Sequence, residues 1–218
     1  MLMNHWICVP VKPFSYGKSR LADMISDEQR YQLNKALFSH TLQKIQSSQW
    51  KENAVVISKG EEALDIAASQ GIKTIVENPP FGLNRSLRTV SKALEGEKAS
   101  SITVLPADLI LLTAGELDML YEIRVQETGI IIVPDRFKAG TNILSVMPVG
   151  AIPFRFGRNS FNKHIHSAGT EEIPVKVFES TFLGFDLDTE RDLLELERLC
   201  PDIRDTIPEI TCFENIFQ

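Results

Sequence analysis

Cysteine is scarce in this chain of 218 residues and occurs three times, as Cys8, Cys200 and Cys212. The number is odd, the positions are far apart, and no Cys-x-x-Cys pair or cysteine–histidine spacing typical of zinc ligands occurs. A zinc site is therefore not expected. The thiols are predicted to be reduced and structural, as in proteins of a reducing compartment.

Long apolar runs are also missing. No run reaches the roughly 18 residues that a membrane span requires, and the first residues lack the apolar core of a secretory signal peptide. We therefore expect no association with membranes and a cytoplasmic location.

An excess of basic residues is missing as well, since the chain has 23 Lys and Arg residues but 29 Asp and Glu residues, and its net charge is −6. This balance argues against a nucleic-acid binder, which normally carries a basic face. An acidic enzyme can still bind anions where its few cations converge on one cleft. Internal repeats, low-complexity segments and linkers are absent too, so we expect a single domain over residues 1–218.

What the sequence does contain is a regular alternation of short apolar runs with helical patterns. This alternation predicts an α/β fold with a mostly parallel sheet. The predicted strands cover residues 6–9, 54–57, 72–76, 102–105, 130–133, 142–147, 175–178 and 182–185, with an irregular extended piece at 152–156. The predicted helices cover residues 27–47, 61–69, 83–95, 115–126, 160–168 and 188–199. Ser26 and Gln29 form a capping-box pattern before the first helix, and Gly169 is expected to end the fifth.

The loop after the first predicted strand holds three cations within nine residues, Lys12, Lys18 and Arg20. Open α/β sheets bind ligands at the carboxyl ends of their strands, and cations there suit a polyphosphate. Gly17-Lys18-Ser19 resembles the end of a P-loop, but that motif requires glycine where this chain has Lys12, and Pro13 stiffens the segment. We predict a phosphate loop of another kind, with a solvated basic turn as the alternative.

Three carboxylates stand at predicted strand ends. Asp108 follows a strongly apolar strand, and Asp186 and Asp188 follow the last predicted one, where period-two alternation would place both on one face. Mg²⁺ prefers one or two carboxylates together with phosphate oxygens, so these acids are candidate metal ligands. The alternatives are that Asp108 caps a turn, that Asp188 caps the last helix, and that Asp186 is solvated.

Two further segments have the composition of anion sites. The first combines Arg136 with Gly140, Thr141 and Asn142, which suits a phosphate or carboxylate. The second is Gly157-Arg158-Asn159-Ser160, just before a predicted helix, where Ser160 would be the cap and free backbone N–H groups would face an anion. Each of these segments, taken alone, is also typical of an ordinary turn.

Other catalytic patterns are weak. His164 and His166 are two residues apart on a predicted helix and would not share a face, so a metal site is not expected there. No Ser-His-Asp set and no cysteine nucleophile in a defined context occurs. The chemistry indicated is charge stabilisation and positioning, which is what phosphoryl and nucleotidyl transfer require.

These motifs, taken in order, resemble those of the CofC/FbiD guanylyltransferases over nearly the whole chain. The resemblance rests on seven segments: Val9-Pro10-Val11-Lys12; Gly17-Lys18-Ser19-Arg20-Leu21; Gly82-Leu83-Asn84; Leu105-Pro106-Ala107-Asp108-Leu109; Pro134-Asp135-Arg136 with Gly140-Thr141-Asn142; Phe154-Arg155-Phe156-Gly157 with Ser160; and Asp186-Leu187-Asp188-Thr189 with Asp192-Leu193.

The resemblance implies a three-layer fold like that of nucleotide-diphospho-sugar transferases (GT-A/Rossmann-like), with a mixed, mostly parallel central sheet. It implies a GTP-dependent guanylyltransferase that moves GMP to 2-phospho-L-lactate, phosphoenolpyruvate or 3-phospho-D-glycerate in coenzyme F420 biosynthesis, with Mg²⁺. The implied partners are GTP and a small phosphorylated acid. A homodimer and contact with the downstream transferase of the pathway are further expectations.

The resemblance also implies roles for individual residues. Lys12, Lys18 and Arg20 would hold the triphosphate, and Asp108 with Asp186 or Asp188 would hold Mg²⁺. The acceptor would be bound by Thr141, Asn142, Gly157 and Ser160, with Arg136 as a helper. The nucleotide would also contact Pro10, Val11, Gly82, Asn84 and Pro106.

Two positions depart from the family pattern. Ile110 stands where the family has proline, and Asn159 stands where a glycine is common, which bears on the shape of the acceptor pocket. Two other functions stay open at this point: a molybdopterin- or sugar-phosphate-type nucleotidyltransferase, and a nucleotide-binding regulatory module without catalysis.

Overall fold

The computed structural model describes residues 4–210 and contains one seven-stranded sheet. In chain order the strands are β1 His5–Pro10, β2 Ala54–Ser58, β3 Lys73–Val76, β4 Ser101–Val104, β5 Gly129–Pro134, β6 Thr141–Met147 and β7 Val175–Val177. Across the sheet their order is β3-β2-β1-β4-β6-β5-β7. The strand β1 is thus third in the order and lies beside the middle strand β4, so the loops that follow these two strands open near the middle of the sheet edge.

The pairing of the strands is mixed but mostly parallel. The strand β1 runs parallel to β2 and β4, and β2 runs parallel to β3. The strand β6 is antiparallel to both β4 and β5, while β7 is parallel to β5. The predicted sheet type is therefore confirmed.

Helices connect the strands at close to the predicted bounds. They are α1 Asp27–Gln46, α2 Glu61–Ser69, α3 Leu83–Gly96, α4 Ala114–Gln126, α5 Ser160–Thr170, α6 Glu190–Leu199 and α7 Ile203–Thr206. The predicted capping box of α1 is present, since the Gln29 N–H donates to Ser26 Oγ and the Ser26 N–H donates to Gln29 Oε1. This exchange satisfies two of the backbone donors that a helix start leaves free.

Two apolar cores form because alternate residues of β1 point to opposite faces of the sheet. Ile7 and Val9 face a core shared with α1, α2 and α4, whereas Trp6 and Cys8 face a core shared with α3 and α5. Both faces of the sheet are therefore covered, which gives the three layers predicted for this fold.

A third apolar cluster lies beside the candidate site and fixes its loops. It includes Leu21 from the cation loop, Ile110 and Leu111 from the loop after β4, and Phe185 and Leu187 from the segment before α6. Each of these side chains is buried. Burial of one such side chain stabilises by about 1.5–3 kcal/mol, so three chain-distant loops are held together by packing.

The second half of the chain departs from the prediction in three places. Residues 182–184 form a turn and Phe185 is in no strand, although a strand was predicted at 182–185. The turn at 182–185 closes because the Gly184 N–H donates to Ser180 O at 2.9 Å, and a Cβ at Gly184 would lie 2.8 Å from that oxygen. The helix α5 continues past Gly169 to Thr170, and α6 begins after Thr189, not after Asp188.

Two of the three cysteines lie in the described part of the chain. Cys8 is buried in the sheet and Cys200 is partly buried, and both are free thiols. Burial raises the pKa of the Cys8 thiol well above its usual range, which keeps it protonated and unreactive. Cys212 lies outside the described residues. No helix within residues 4–210 is both long and apolar enough to cross a membrane.

Candidate active site

The cations and acids predicted from the sequence meet at the carboxyl ends of β1 and β4. Lys18 is in the loop after β1 and has left-handed backbone angles (φ 55°, ψ 38°). Its ammonium donates to Asp108 Oδ2 at 2.9 Å and lies 3.6 Å from Asp188 Oδ1. We call Lys18, Asp108 and Asp188 the cation–acid cluster. It brings together residues that are 90 and 170 positions from Lys18 in the chain.

The cation–acid cluster is asymmetric in exposure. The side chain of Lys18 is 2% exposed, whereas those of Asp108 and Asp188 are 42% and 35% exposed. The ammonium is therefore enclosed by protein, and the two carboxylates keep open sides toward solvent. A ligand that approaches from solvent meets the acids first.

The cluster also shifts the pKa values of its members. Burial raises the pKa of the Asp108 carboxyl, but the Lys18 ammonium outweighs burial and holds this pKa below its usual range. Burial lowers the pKa of Lys18, and the charge and hydrogen bond of Asp108 outweigh this, so the pKa of Lys18 is raised. Nearby, burial and then the charge of Asp188 raise the pKa of Asp186. Lys18 and Asp108 are thus charged at neutral pH.

The other two predicted cations lie at the rim of the cluster. Arg20 Nη1 donates to Asp188 Oδ2 at 3.2 Å, and the Arg20 side chain is 73% exposed. Lys12 is exposed, and its charge contributes to lowering the pKa of Asp108. The three cations of the predicted phosphate loop therefore lie around one pair of carboxylates, and two of them, Lys12 and Arg20, are exposed to solvent.

A buried acid that the sequence analysis did not assign a role holds the segment of Asp186 and Asp188 in place. Asp192 Oδ2 accepts the N–H groups of Asp188 and Thr189 at 2.8 and 2.6 Å, and Asp192 Oδ1 pairs with the Arg136 guanidinium. The Arg136 guanidinium also donates to Asp186 O at 3.3 Å. Thr189 and Asp192 form a capping box at the start of α6, a pattern that is visible in the sequence. The polar partners of the Arg136 guanidinium are therefore the Asp186 carbonyl oxygen and the Asp192 carboxylate.

The segment predicted to bind the acceptor is built around Ser160. Ser160 is buried, and its Oγ accepts the Thr141 N–H at 2.9 Å. Asn159, and not Ser160 as predicted, occupies the cap position of α5, and its backbone is left-handed (φ 57°). Glycine and asparagine tolerate this conformation best, which explains how asparagine can replace a glycine here. Gly157 also has a positive φ of 117°.

The loop between β5 and β6 brings Thr141 to Ser160. Asp135 folds this loop, since its two carboxylate oxygens accept the N–H groups of Phe137, Ala139 and Gly140 at 2.7 to 3.1 Å. A Cβ at Gly140 would lie 2.7 Å from Asp135 Oδ2, so a larger residue there would displace the carboxylate that folds the loop. Asn142 Nδ2 donates to Leu183 O at 3.0 Å and ties the loop to the acid segment.

Asn84, predicted near the nucleotide, makes two hydrogen bonds to one backbone unit. Its Nδ2 donates to Phe156 O at 3.1 Å and its Oδ1 accepts the Phe156 N–H at 2.8 Å. The start of α3 is thereby joined to the segment that carries Gly157. Gly82, just before α3, has φ of 148°. Pro10, Val11 and Pro106 lie at the ends of β1 and β4, where the Val11 N–H donates to Ile57 O.

His164, for which no role is predicted, is fully buried next to the predicted acceptor residues. Its Nε2 is 2.9 Å from the Arg155 N–H donor, and its Nδ1 is 3.0 Å from Thr141 Oγ1. Burial, followed by the charges of Arg155 and Lys163, lowers the pKa of His164 to about 4. The ring is therefore neutral at physiological pH. Its partners lie in other elements, so no local sequence signal could have identified it.

The buried neutral state of His164 predicts a loss of stability in mild acid. An unfolded histidine has a pKa of about 6.5, so below this pH the unfolded chain binds a proton that the folded chain excludes until about pH 4. The free energy of unfolding should therefore fall as the pH falls, by about 2 kcal/mol from about pH 7 to about pH 5 through this one residue. Urea unfolding at both pH values measures it.

The matched control for this prediction is His164→Asn, which removes the titrating group. Its unfolding free energy should depend less steeply on pH than that of the wild type, by about the same 2 kcal/mol. Two parallel pH profiles would show that His164 does not titrate as its burial implies.

Asp108 and Asp188 are the candidate ligands of a metal ion. Within residues 4–210 no group of three or more His, Cys, Asp and Glu side chains is arranged to hold a metal. Asp108 and Asp188 nevertheless direct carboxylate oxygens at one cation, the Lys18 ammonium. A pair of carboxylates with open sides matches the donor set of Mg²⁺, which takes its remaining ligands from water and phosphate. The two carboxylates therefore fit a divalent cation that takes its other ligands from outside the protein.

Comparison with known structures shows the fold. A structure from Desulfovibrio desulfuricans G20, assigned to the nucleotide-diphospho-sugar transferases, superposes with a TM-score of 0.72 at 11% identity and covers 98% of this chain and 95% of that one. The predicted nucleotide-diphospho-sugar transferase-like fold is thereby confirmed.

Comparison with known sequences is more specific. The family model described as "Guanylyl transferase CofC like" matches residues 5–199. The chain is 33% identical over 193 residues to a phosphoenolpyruvate guanylyltransferase of Sphaerobacter thermophilus, with 88% of this chain and 92% of that one covered. It is 28% identical over 188 residues to a 2-phospho-L-lactate guanylyltransferase of Methanobrevibacter smithii, with 86% and 81% covered. The chain therefore belongs to the family of CofC-like guanylyl transferases, and so to the nucleotidyltransferases.

Proposed function

We propose that this protein transfers GMP from GTP to a small phosphorylated acid and releases pyrophosphate. The observation that carries the proposal is the convergence of Lys18, Asp108 and Asp188 at the carboxyl ends of two neighbouring parallel strands. Enclosed positive charge and open carboxylates at one point suit a nucleoside triphosphate and its cation. Family membership supports GTP as the nucleotide.

The acceptor class follows from the relatives and from the second site. The relatives named above act, by their names, on phosphoenolpyruvate and 2-phospho-L-lactate. Both are three-carbon acids with one phosphate, and we propose this class, including 3-phospho-D-glycerate, for this protein. The buried Ser160, the half-buried Thr141 and the positive-φ Gly157 support a compact anion pocket. The product would enter the biosynthesis of coenzyme F420.

In the proposed reaction an oxygen of the acceptor phosphate attacks the α-phosphorus of GTP in line with the leaving group. A new phosphorus–oxygen bond forms, the bond to the oxygen that bridges to the β-phosphate breaks, and pyrophosphate leaves with that electron pair. No general base is required, because a phosphate monoester is largely ionised at neutral pH. The protein therefore contributes charge and position rather than proton transfer.

The cations and acids divide this work. Lys18 is fixed inside the cation–acid cluster, and Lys12 and Arg20 are exposed at its rim, so we assign the three to the triphosphate and the leaving pyrophosphate. Asp108 and Asp188 are assigned to Mg²⁺, because they already share one cation. Mg²⁺, when bound, would supply Lewis-acid stabilisation of the phosphate charge.

The remaining site residues are assigned to the two substrates. Thr141 and Ser160 would contact the acceptor through hydroxyl and backbone groups, with Asn142 and Gly157 shaping the pocket. Gly82 is assigned to the guanosine side, where backbone N–H groups at the start of α3 are available. Asn84 would act there through its hold on Phe156, which connects the nucleotide side to the acceptor side.

We also propose that the chain works as one nucleotidyltransferase domain in the cytoplasm. All seven strands of residues 4–210 belong to a single sheet, which supports one domain, and the cytoplasm holds the GTP that the reaction consumes. A homodimer and contact with the next transferase of the pathway stay predictions of the resemblance.

The test is pyrophosphate release with GTP and Mg²⁺, with phosphoenolpyruvate, 2-phospho-L-lactate and 3-phospho-D-glycerate offered separately. We expect release with at least one acid and a clear preference among them. Unphosphorylated L-lactate is the matched control, since it keeps the carboxylate but lacks the attacking phosphate. If the protein binds GTP but releases no pyrophosphate with any of the three acids, the proposal is overturned in favour of another acceptor or a regulatory module.

A further inference from the structure

We infer that His164 is a positioning residue that turns the hydroxyl of Thr141 so that it donates to the bound acceptor acid. The inference rests on the function proposed above, since it concerns the acceptor pocket of that reaction. It is argued from three neighbouring groups: the Arg155 backbone N–H, the His164 ring and the Thr141 hydroxyl.

The first step is the tautomer of His164. A backbone N–H can only donate, so the Arg155 N–H at 2.9 Å requires an unprotonated Nε2 on His164. A neutral imidazole carries one proton, which must then be on Nδ1. The neutral form is expected because the ring is fully buried and packs edge-on against Phe156 with 5.0 Å between ring centroids.

The second step is the direction of the Thr141 hydroxyl. Nδ1–H of His164 donates to Thr141 Oγ1 at 3.0 Å, so this oxygen acts as an acceptor toward the histidine. Its own hydrogen must point elsewhere. Within residues 4–210 the structure shows no protein acceptor for that hydrogen, and Thr141 is only half-buried. The hydroxyl hydrogen of Thr141 is therefore available to donate to a ligand in the pocket.

The third step is what this donor meets. The Thr141 N–H is already used by Ser160 Oγ at 2.9 Å, so the hydroxyl is the donor that Thr141 can offer. Carboxylate and phosphate oxygens are acceptors only, and a hydrogen bond to a charged group is among the stronger ones. The acceptor acid therefore gains a fixed donor, while GTP gains nothing from it. The loss of this bond should weaken acceptor use about tenfold to a hundredfold.

Two substitutions separate positioning from mere packing. In His164→Asn the amide nitrogen takes the place of Nδ1, so the donor to Thr141 is kept and the partner of the Arg155 N–H is lost. In His164→Gln the amide oxygen takes the place of Nε2, so the Arg155 partner is kept and the donor to Thr141 is lost. Both variants lose one hydrogen bond of a buried ring, so their stabilities should fall by similar amounts.

The expected result is a split between these variants. His164→Gln should raise the KM of the acceptor about tenfold or more and leave the KM of GTP unchanged, whereas His164→Asn should stay close to the wild type. Equal effects of the two variants on the acceptor, or equal effects of one variant on both substrates, would overturn the inference.

Two further measurements keep the inference open to refutation. Nitrogen-15 NMR of the histidine rings should show a protonated Nδ1 and an unprotonated Nε2 for His164, and the opposite tautomer would overturn it. Should the His164 variants fail to fold, Thr141→Ser should keep acceptor use and Thr141→Val should lose it about tenfold. Equal acceptor KM values for Thr141→Ser and Thr141→Val would overturn it too.

The inference and the proposed function fail in different ways. A wild-type protein that releases no pyrophosphate with any of the three acids would refute the function, and the inference with it. An active wild type with indistinguishable Asn and Gln variants would refute the inference alone.

Discussion

Asp108→Asn should lower the rate of GMP transfer about a hundredfold to a thousandfold at saturating GTP and Mg²⁺, which is the loss seen when a preorganised charge is removed from a reaction site. Asparagine keeps the shape of the side chain but removes its charge, so the site loses a metal ligand and the main partner of Lys18. The KM of the acceptor should change much less than kcat, because Asp108 is not assigned to the acceptor.

The fold should survive this substitution. Asp108 is 42% exposed and Asp188 stays 3.6 Å from the Lys18 ammonium, so the lysine is not left without a counter-charge. Solvent screening reduces the value of a half-exposed pair, and we expect a loss of about 1–2 kcal/mol in the free energy of unfolding. Asp65→Asn is the matched control, since Asp65 is exposed on α2. Near-normal turnover of Asp108→Asn would exclude a ligand role.

The sequence could predict those site residues that are marked by a local pattern. Strand ends can be read from apolar runs, and ligands gather at such ends in α/β sheets. Lys18 and Asp108 were therefore identified from position and chemistry alone, although 90 residues separate them. The segments of Thr141 and Ser160 have the composition of anion sites but are also typical of ordinary turns, and the family resemblance added their assignment to the acceptor.

The part that the sequence could not predict depends on contacts between distant segments. The link from Arg155 through His164 to Thr141 joins three elements, and none of the three carries a pattern for it. Arg136 stays a predicted helper of the acceptor, and no pattern in the sequence indicates that its guanidinium pairs with Asp192, 56 residues away. Charge type is visible in sequence, whereas the choice of partner is decided by packing.

The predicted strand at residues 182–185 failed for a related reason. Two of its apolar residues, Leu183 and Phe185, are buried, whereas Phe182 is 42% exposed. Burial alone does not distinguish a strand from a tightly packed turn in so short a run. Ser180 Oγ accepts the Leu183 N–H and Ser180 O accepts the Gly184 N–H. These two backbone donors therefore find partners within the turn and need no neighbouring strand.

Lys18→Met should lower kcat/KM for GTP about a hundredfold to a thousandfold, because the enclosed ammonium is the cation best placed to stabilise charge on the leaving pyrophosphate. Methionine fills a similar volume without charge or hydrogen bonds. Lys12 and Arg20 remain at the rim, so GTP binding should weaken less than turnover. Lys92→Met, on an exposed position of α3, is the matched control and should behave as the wild type.

The same substitution should change how stability depends on pH and on Mg²⁺. Lys18 holds the pKa of Asp108 below its ordinary value, so this pair stabilises the fold above about pH 4 and the contribution is lost as the pH falls through the lowered pKa. The gap in unfolding free energy between wild type and Lys18→Met should therefore be present at neutral pH and close in acid. With the ammonium gone, Asp108 loses its hydrogen-bonded cation and only Arg20 stays paired with Asp188, so Mg²⁺ should raise the melting temperature of the variant more than that of the wild type. If Mg²⁺ does not change the melting temperature of the variant, Asp108 and Asp188 are not the metal ligands.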